Sequence, residues 1–129
     1  MSLVTIVDDE ASVRKALSRL VRAAGFEVET FSSGAEFLAA SLPRRPQCLV
    51  LDLRMPHVSG FDVQQALTVA GHRVPVVIIT GDDSAESRER ALKLGAKAYL
   101  RKPVDDAILL DAIRTAIGPA PSTPPPSPP

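Results

Sequence analysis

The sequence predicts an α/β fold, a doubly wound parallel sheet with helices on both faces. Three observations carry that expectation. Five short apolar runs, at residues 3–7, 26–31, 47–51, 74–79 and 98–100, are each followed by a segment with helical periodicity or helix-start chemistry. Most of these runs are almost continuously apolar and rich in branched side chains, the pattern of strands covered on both sides. Right-handed crossovers between parallel strands then leave a doubly wound sheet as the natural topology. At 129 residues the chain is one domain long and can bury a real core.

Taken in order, the first strand ends in Asp8 and Asp9. Val13, Ala16, Leu17, Leu20 and Ala24 follow at helical spacing, with Arg14, Lys15, Arg19 and Arg22 opposite them. Gly25 stops this helix, because glycine tolerates the left-handed conformation of a C-terminal cap. Residues 26–31 alternate apolar and polar, as a half-buried edge strand would. Ser33 and Glu36 have capping-box spacing and open a short helix carrying Phe37 and Leu38, which Pro43 and Pro46 end. The third strand runs into Asp52. Gly60 releases a helix with Val63, Leu67 and Ala70 on one face and Gly71 as its stop. The fourth strand ends at Thr80, and Asp83 or Ser84 caps a helix that continues to Leu94 and stops at Gly95. A short fifth strand ends at Arg101, Lys102 and Pro103. Asp105 opens a last helix whose Leu109, Leu110, Ile113 and Ile117 face the sheet, terminated by Gly118 and Pro119.

These elements place the domain at residues 1–118. Residues 119–129 are almost entirely Pro, Ser, Ala and Thr, too poor in large apolar groups to fold, and should form an extended spacer. A linker toward another part of a longer chain is the expectation; a proline-recognition ligand and a plain disordered tail are the alternatives.

Bulk composition excludes several classes. Fifteen Lys and Arg balance fifteen Asp and Glu, so no global field draws this domain to nucleic acid or an anionic membrane. The lone Cys48 cannot form an internal disulfide and, lying inside a strand, reads as a small core residue. There is no charged-then-apolar leader and no run of membrane-spanning length, so the cytoplasm is the expected location and a membrane is not an expected partner.

The residues at the strand ends carry the chemistry. In a doubly wound sheet, ligands bind outside the carboxyl ends of the strands, where strand order reverses. Those positions hold Asp8, Asp9, Asp52, Thr80 and Lys102. If the order is 2-1-3-4-5, the first and third strands are central neighbours and the three acids crowd together. Like charges so placed raise one another's proton affinity unless a cation neutralises them, and an all-oxygen set suits Mg²⁺. Three carboxylate charges are then offset by the divalent ion and the Lys102 ammonium, so the pocket can accept a phosphoryl group. A carboxylate beside such an ion is a competent nucleophile toward phosphorus.

With these residues in place the chain resembles the receiver domain of two-component response regulators. The resemblance covers residues 3 to about 117, nearly everything before the proline-rich segment. Met55, Pro56, Ser59 and Gly60, and the run from Gly95 to Pro103, look most like the FixJ/NarL type with a C-terminal helix-turn-helix. It implies a (βα)5 flavodoxin-like, CheY-like sheet of order 2-1-3-4-5. It implies Asp52 as acceptor of a phosphoryl group from a sensor histidine kinase, and Mg²⁺ held by Asp8, Asp9, Asp52 and the Arg54 backbone carbonyl. Lys102 would pair with Asp52 and then with the phosphoryl oxygens, Thr80 and Gly81 would line the phosphoryl site, and Tyr99 would turn inward behind Thr80. A cis bond would precede Pro103. The fourth helix and fifth strand would form the surface that changes, controlling a phosphorylation-dependent homodimer or a DNA-binding output domain outside this chain. The helix after Asp9 and the nearby loops would dock the kinase. Such a domain is a phosphoacceptor switch that phosphorylates and dephosphorylates itself with Mg²⁺, not a turnover enzyme.

Three rival functions fit the residues less well. A metal-dependent phosphohydrolase would place Asp-x-Asp on one strand end, whereas Leu53 and Arg54 follow Asp52. A nucleotide-binding module would need a glycine-rich or Walker motif after the first strand, which is missing. An inert receiver-like interaction module would not respond to acetyl phosphate. His57 and His72 read as exposed loop residues, and Lys93, Lys97 and Arg101 as either a signalling surface or a solvated rim.

Overall fold

The computed structural model describes residues 2–40, 46–81 and 84–118. Strand and helix alternate five times: β1 (Leu3–Val7), α1 (Ala11–Ala23), β2 (Glu27–Phe31), α2 (Gly34–Ala40), β3 (Cys48–Asp52), α3 (Gly60–Val69), β4 (Val76–Thr80), α4 (Ala85–Lys93), β5 (Ala98–Arg101) and α5 (Asp106–Ile117). The strands form one parallel sheet of order β2-β1-β3-β4-β5, the doubly wound arrangement the apolar runs predict.

Strand parity explains why those runs are continuous. Val4, Ile6, Cys48, Val50, Val77 and Ile79 pack on one face with Leu17 and Val21 of α1 and Leu109 and Ile113 of α5. Val7, Leu49, Leu51 and Ile78 pack on the other with Phe37 of α2 and Val63 and Leu67 of α3. Successive side chains point to opposite faces, so a strand covered on both sides must be apolar at every position. Each large side chain so buried contributes about 1.5–3 kcal/mol. The two edge strands, β2 and β5, are half-buried or exposed throughout.

Helix starts follow their caps. Ser59 and Asp62 form a complete capping box at α3, Ser84 Oγ accepts the Ser87 N–H at 3.1 Å, and Asp105 accepts the Ile108 N–H at 3.1 Å. Gly25, Gly71, Gly95 and Gly118 end four helices with φ between 74° and 100°. Two details differ from the sequence pattern. β4 begins at Val76, because Pro75 has no N–H and contributes only its carbonyl, to Leu49 N at 2.8 Å. In α1 Ala16 is exposed while Ser18 and Val21 are buried, so the packed stripe is rotated from the one that Ala16 suggests. Pro43, Asp83 and the 119–129 segment lie outside the described residues. Among the described residues no helix is long and apolar enough to cross a membrane.

Candidate phosphoryl and metal site

The topology decides which side chains meet. β1 and β3 are neighbours with Val7 opposite Leu51, so Asp8 and Asp52 occupy the next step at the same rim. Asp8 continues the parity of Val4 and Ile6, Asp52 that of Cys48 and Val50, and Lys102 that of Ala98 and Leu100, all on the α1/α5 face. The Lys102 amide donates to the Thr80 carbonyl at 2.8 Å, which ties the end of β5 to the end of β4.

The Lys102 ammonium sits among three carboxylates. Nζ lies 2.9 Å from Asp8 Oδ2, 3.3 Å from Glu10 Oε1 and 3.6 Å from Asp52 Oδ1. The pair with Asp52 that the resemblance implies is present, and the approach to Asp8 is closer still. Both acids are buried, and Asp52 also receives the Arg54 N–H at 3.4 Å. Asp8 has a second task. Its Oδ1 accepts the Glu10 N–H at 2.9 Å, and its carbonyl accepts from Arg14 Nη1 at 2.7 Å. The first of these satisfies an amide at the start of α1, where Glu10 supplies no side-chain cap. Glu10 was missed in the sequence reading, although it directly follows Asp8 and Asp9 as a third acid.

Electrostatics follow from this crowding. The Asp52 pKa rises from 3.8 to about 7, chiefly through burial, then through the charge of Asp8 and the contact with Asp9, against the pull of Lys102 and the Arg54 amide. Burial opposes the charge on Lys102, but the contact with Asp8 and the fields of Asp52, Asp8 and Glu10 outweigh it, so its pKa is raised. The folded state thus holds the Asp52 proton more tightly than the unfolded chain does. That contribution is fully present below about pH 4 and is lost as pH rises through about 7. The Lys102 contribution persists through this range, since its raised pKa lies above it. The expected result is a metal-free domain that is less stable to urea at about pH 8 than at about pH 5, with Mg²⁺ removing much of the difference. Equal midpoints in metal-free buffer would contradict it.

The donor set fits a small divalent cation. Carboxylate oxygens of Asp8, Asp9 and Glu10 lie within 4.8 Å of one another. Asp8 Oδ2 is buried with no hydrogen-bond partner, its approach to Lys102 being an ion pair without hydrogen-bond angles. Hard oxygen ligands with open water on the Asp9 side are what Mg²⁺ takes. Arg54 lies at the same rim and is itself exposed.

Gly60 supports the rim from behind, a second residue missed at the sequence level. A Cβ there would fall 2.8 Å from the Asp52 carbonyl oxygen and 2.9 Å from Leu53 Cα, and the Gly60 amide donates to the Leu53 carbonyl at 3.0 Å. Gly60→Ala is expected to lower stability by about 1–3 kcal/mol. Gly81→Ala, whose added Cβ meets nothing within 4 Å, should be within about 0.5 kcal/mol of wild type. Urea unfolding of both variants checks the contrast.

Thr80 is fully buried at the end of β4 and shares the parity of Val76 and Ile78, on the face away from the acids. Tyr99 is half-buried, registers with Ile78, packs on that same face and has the Arg88 guanidinium 6.0 Å from its ring. Gly81 is exposed, and the Lys102–Pro103 bond is cis. His57 is exposed, but His72 is half-buried with Nδ1 fully enclosed, because the turn after α3 folds it back. Lys93, Lys97 and Arg101 are all exposed, with Lys93 paired to Glu89 at 3.4 Å. Cys48 is buried, which pushes its thiol pKa up to about 12.

Comparison with known proteins agrees with this architecture. The family described as response regulator receiver domain matches residues 4–114. The chain is similar to response regulator protein TmoT of Ectopseudomonas mendocina, 42% identical over 120 residues, 93% of this chain and 54% of the relative. It is also similar to transcriptional regulatory protein FixJ of Azorhizobium caulinodans, 36% identical over 115 residues, 89% of this chain and 54% of the relative. Among solved structures, FixJ-N superimposes with a TM-score of 0.85 at 36% identity, over 91% of this chain and 94% of that one. Chemotaxis protein CheY4 of Vibrio cholerae gives 0.84 at 30% identity, over 90% of this chain and 98% of that one. The chain spans about half the length of the curated relatives it matches.

Proposed function

This chain belongs to the response regulator receiver domain family of two-component systems, and we propose that it is a phosphorylation-activated switch with Asp52 as the phosphoacceptor. The observation that carries the reading is the placement of buried Asp52 at a rim shared with Asp8, Asp9, Glu10 and the Lys102 ammonium. An Asp52 carboxylate oxygen attacks the phosphorus of a sensor histidine kinase's phosphohistidine. The P–N bond breaks, its electron pair stays on the imidazole nitrogen, and an acyl phosphate remains on Asp52. Asp8 and Asp9, with Asp52 and the Arg54 carbonyl, would hold Mg²⁺. When bound, that ion supplies positive charge that offsets the acids and the phosphoryl oxygens. Lys102 supplies the other compensating charge and is already within ion-pair reach of Asp52.

The switch then follows from new contacts. Turning a conformer ratio from 1:99 to 99:1 needs roughly 5.5 kcal/mol, and each hydrogen bond to a charged group gives about 1.5–3 kcal/mol. Thr80 and backbone amides around Gly81 are the donors for those contacts, and Tyr99, on the same face of the adjacent strand, follows Thr80 inward. The surface that changes is α4 and β5, which controls a homodimer or a DNA-binding output domain outside this chain. DNA is reached only through that output domain. The helix α1 and the loops beside Asp9 dock the kinase, and the domain works in the cytoplasm. It is a switch with slow self-phosphorylation and self-dephosphorylation. The phosphohydrolase alternative is disfavoured because Leu53 is fully buried and Arg54 is the next residue, leaving no second acid on that strand end.

Acetyl phosphate with Mg²⁺ should add roughly 80 Da, one phosphoryl group, and chelation of the metal should prevent the gain. Unchanged mass with fresh acetyl phosphate and Mg²⁺ would favour an inert interaction module instead.

A further inference from the structure

A second recess lies at the opposite end of the sheet from Asp52. Its volume is about 530 Å³, within the range of roughly 300–1,000 Å³ typical of small-molecule sites. It opens between the end of α3 and the amino ends of β4 and β5. Val76, at its floor, and Thr80, at the Asp52 rim, are four residues apart on β4, roughly 13 Å. The two sites are therefore separate.

The lining is chemically mixed in an informative way. Leu67 and Val74 give it apolar wall, and Arg73 and Lys97 give it two cations. Gln64, on its inner side, is 2% exposed. Its Nε2 donates to the Ala91 carbonyl at 3.0 Å, while its Oε1 is enclosed without a hydrogen-bond partner. His72 Nδ1, in the same lining, is likewise enclosed and unpartnered. Buried polar atoms are normally paired, and leaving one unpaired is costly. The polar link from Gln64 to Ala91 needs only the amide nitrogen; the acceptor beside it is left over. A leftover acceptor enclosed in the wall of a recess with two cations, and exposed to it by a turn of the Gln64 side chain, suits a ligand that donates a hydrogen bond at one end and is negative at the other.

We propose that this recess between α3 and α4 binds a small carboxylate with an apolar body and a hydroxyl or amide N–H at its far end. Arg73 and Lys97 face the carboxylate, Leu67 and Val74 the body, and Gln64 Oε1 accepts from the donor after a small turn of its side chain. The inference does not depend on how Asp52 is read.

The test is an amide-shift titration of the full chain with 4-hydroxybenzoate, up to about 10 mM, the weak end of specific binding. Benzoate (no donor) and 4-hydroxybenzamide (no charge) serve as comparison compounds. The expected result is a saturable shift of amides in residues 64–76 and 94–97. Each comparison compound should bind about tenfold more weakly, the value of one lost polar contact. Gln64→Leu should erase the preference for 4-hydroxybenzoate over benzoate, and Lys97→Gln should weaken both carboxylates. Should Gln64→Leu not fold, the three compounds on wild type still decide. No shift at those amides, shifts centred on residues 8–10 and 52–54, or equal binding of all three compounds would overturn the proposal.

Discussion

Asp52→Asn should abolish phosphoryl uptake completely and, at the same time, make the metal-free domain more stable. The two effects have one cause. Asp52 is 3% exposed, and its pKa stands near 7 instead of 3.8 because burial, the charge of Asp8 and the hydrogen bond with Asp9 disfavour the anion. Holding it ionised above pH 7 costs at most about 4 kcal/mol, at about 1.4 kcal/mol for each tenfold change in proton affinity. Asparagine removes the buried charge but also its attraction to Lys102, so it should recover part of this, about 1–3 kcal/mol at about pH 8. At about pH 5, where Asp52 is largely protonated in the folded state but ionised in the unfolded chain, the gain should fall to less than half, and it should nearly vanish only below about pH 4. Urea melts at the two pH values, beside mass measurement after acetyl phosphate, read both effects. An asparagine variant that is less stable than wild type at pH 8 would mean that Asp52 is held by partners stronger than its repulsions.

Removing the ammonium should act in the opposite direction. Lys102→Ala leaves Asp8 and Asp52, 0% and 3% exposed, without the cation that lies 2.9 and 3.6 Å from them. Breaking a buried ion pair by deleting one partner typically costs about 3–5 kcal/mol. The Lys102 side chain keeps 16% exposure, so about 2–4 kcal/mol is expected at neutral pH in metal-free buffer. Mg²⁺ should return a larger share of stability to this variant than it adds to wild type, because the ion takes over the missing charge. Equal unfolding midpoints for Lys102→Ala and wild type would show that the acids do not depend on this residue.

Much of the fold was legible because its signals are local. Continuous apolar runs marked β1, β3 and β4 as strands covered on both faces, and alternation marked β2 as the edge. Gly25, Gly71 and Gly95 marked helix ends, and Ser33, Ser84 and Asp105 marked helix starts. Parity along the strands then brings Asp8, Asp52 and Lys102 to one face of one rim. What escaped depends on three-dimensional approach. Ala16 reads as apolar, but the packing of α1 on the sheet turns Ser18 inward and leaves Ala16 in solvent. Gly60 reads as a helix opener, yet its lack of a side chain is required by the Asp52 carbonyl 2.8 Å away from where a Cβ would stand. The preference of Lys102 for Asp8 over Asp52 rests on distances under 4 Å that no spacing encodes. Glu10 was visible as a third acid in a row; what was not visible is that its carboxylate turns back toward Lys102.

The central claim is that the acid at the end of β3, among all those at the rim, is the one that takes the phosphoryl group. Borohydride reduces an acyl phosphate and converts the aspartate that carries it to homoserine. Protein treated with acetyl phosphate and Mg²⁺, reduced in this way and sequenced by peptide mass, should show that conversion at Asp52 and leave Asp8 and Asp9 intact. Conversion at Asp8 or Asp9, or none in protein whose mass had risen by roughly 80 Da, would contradict it.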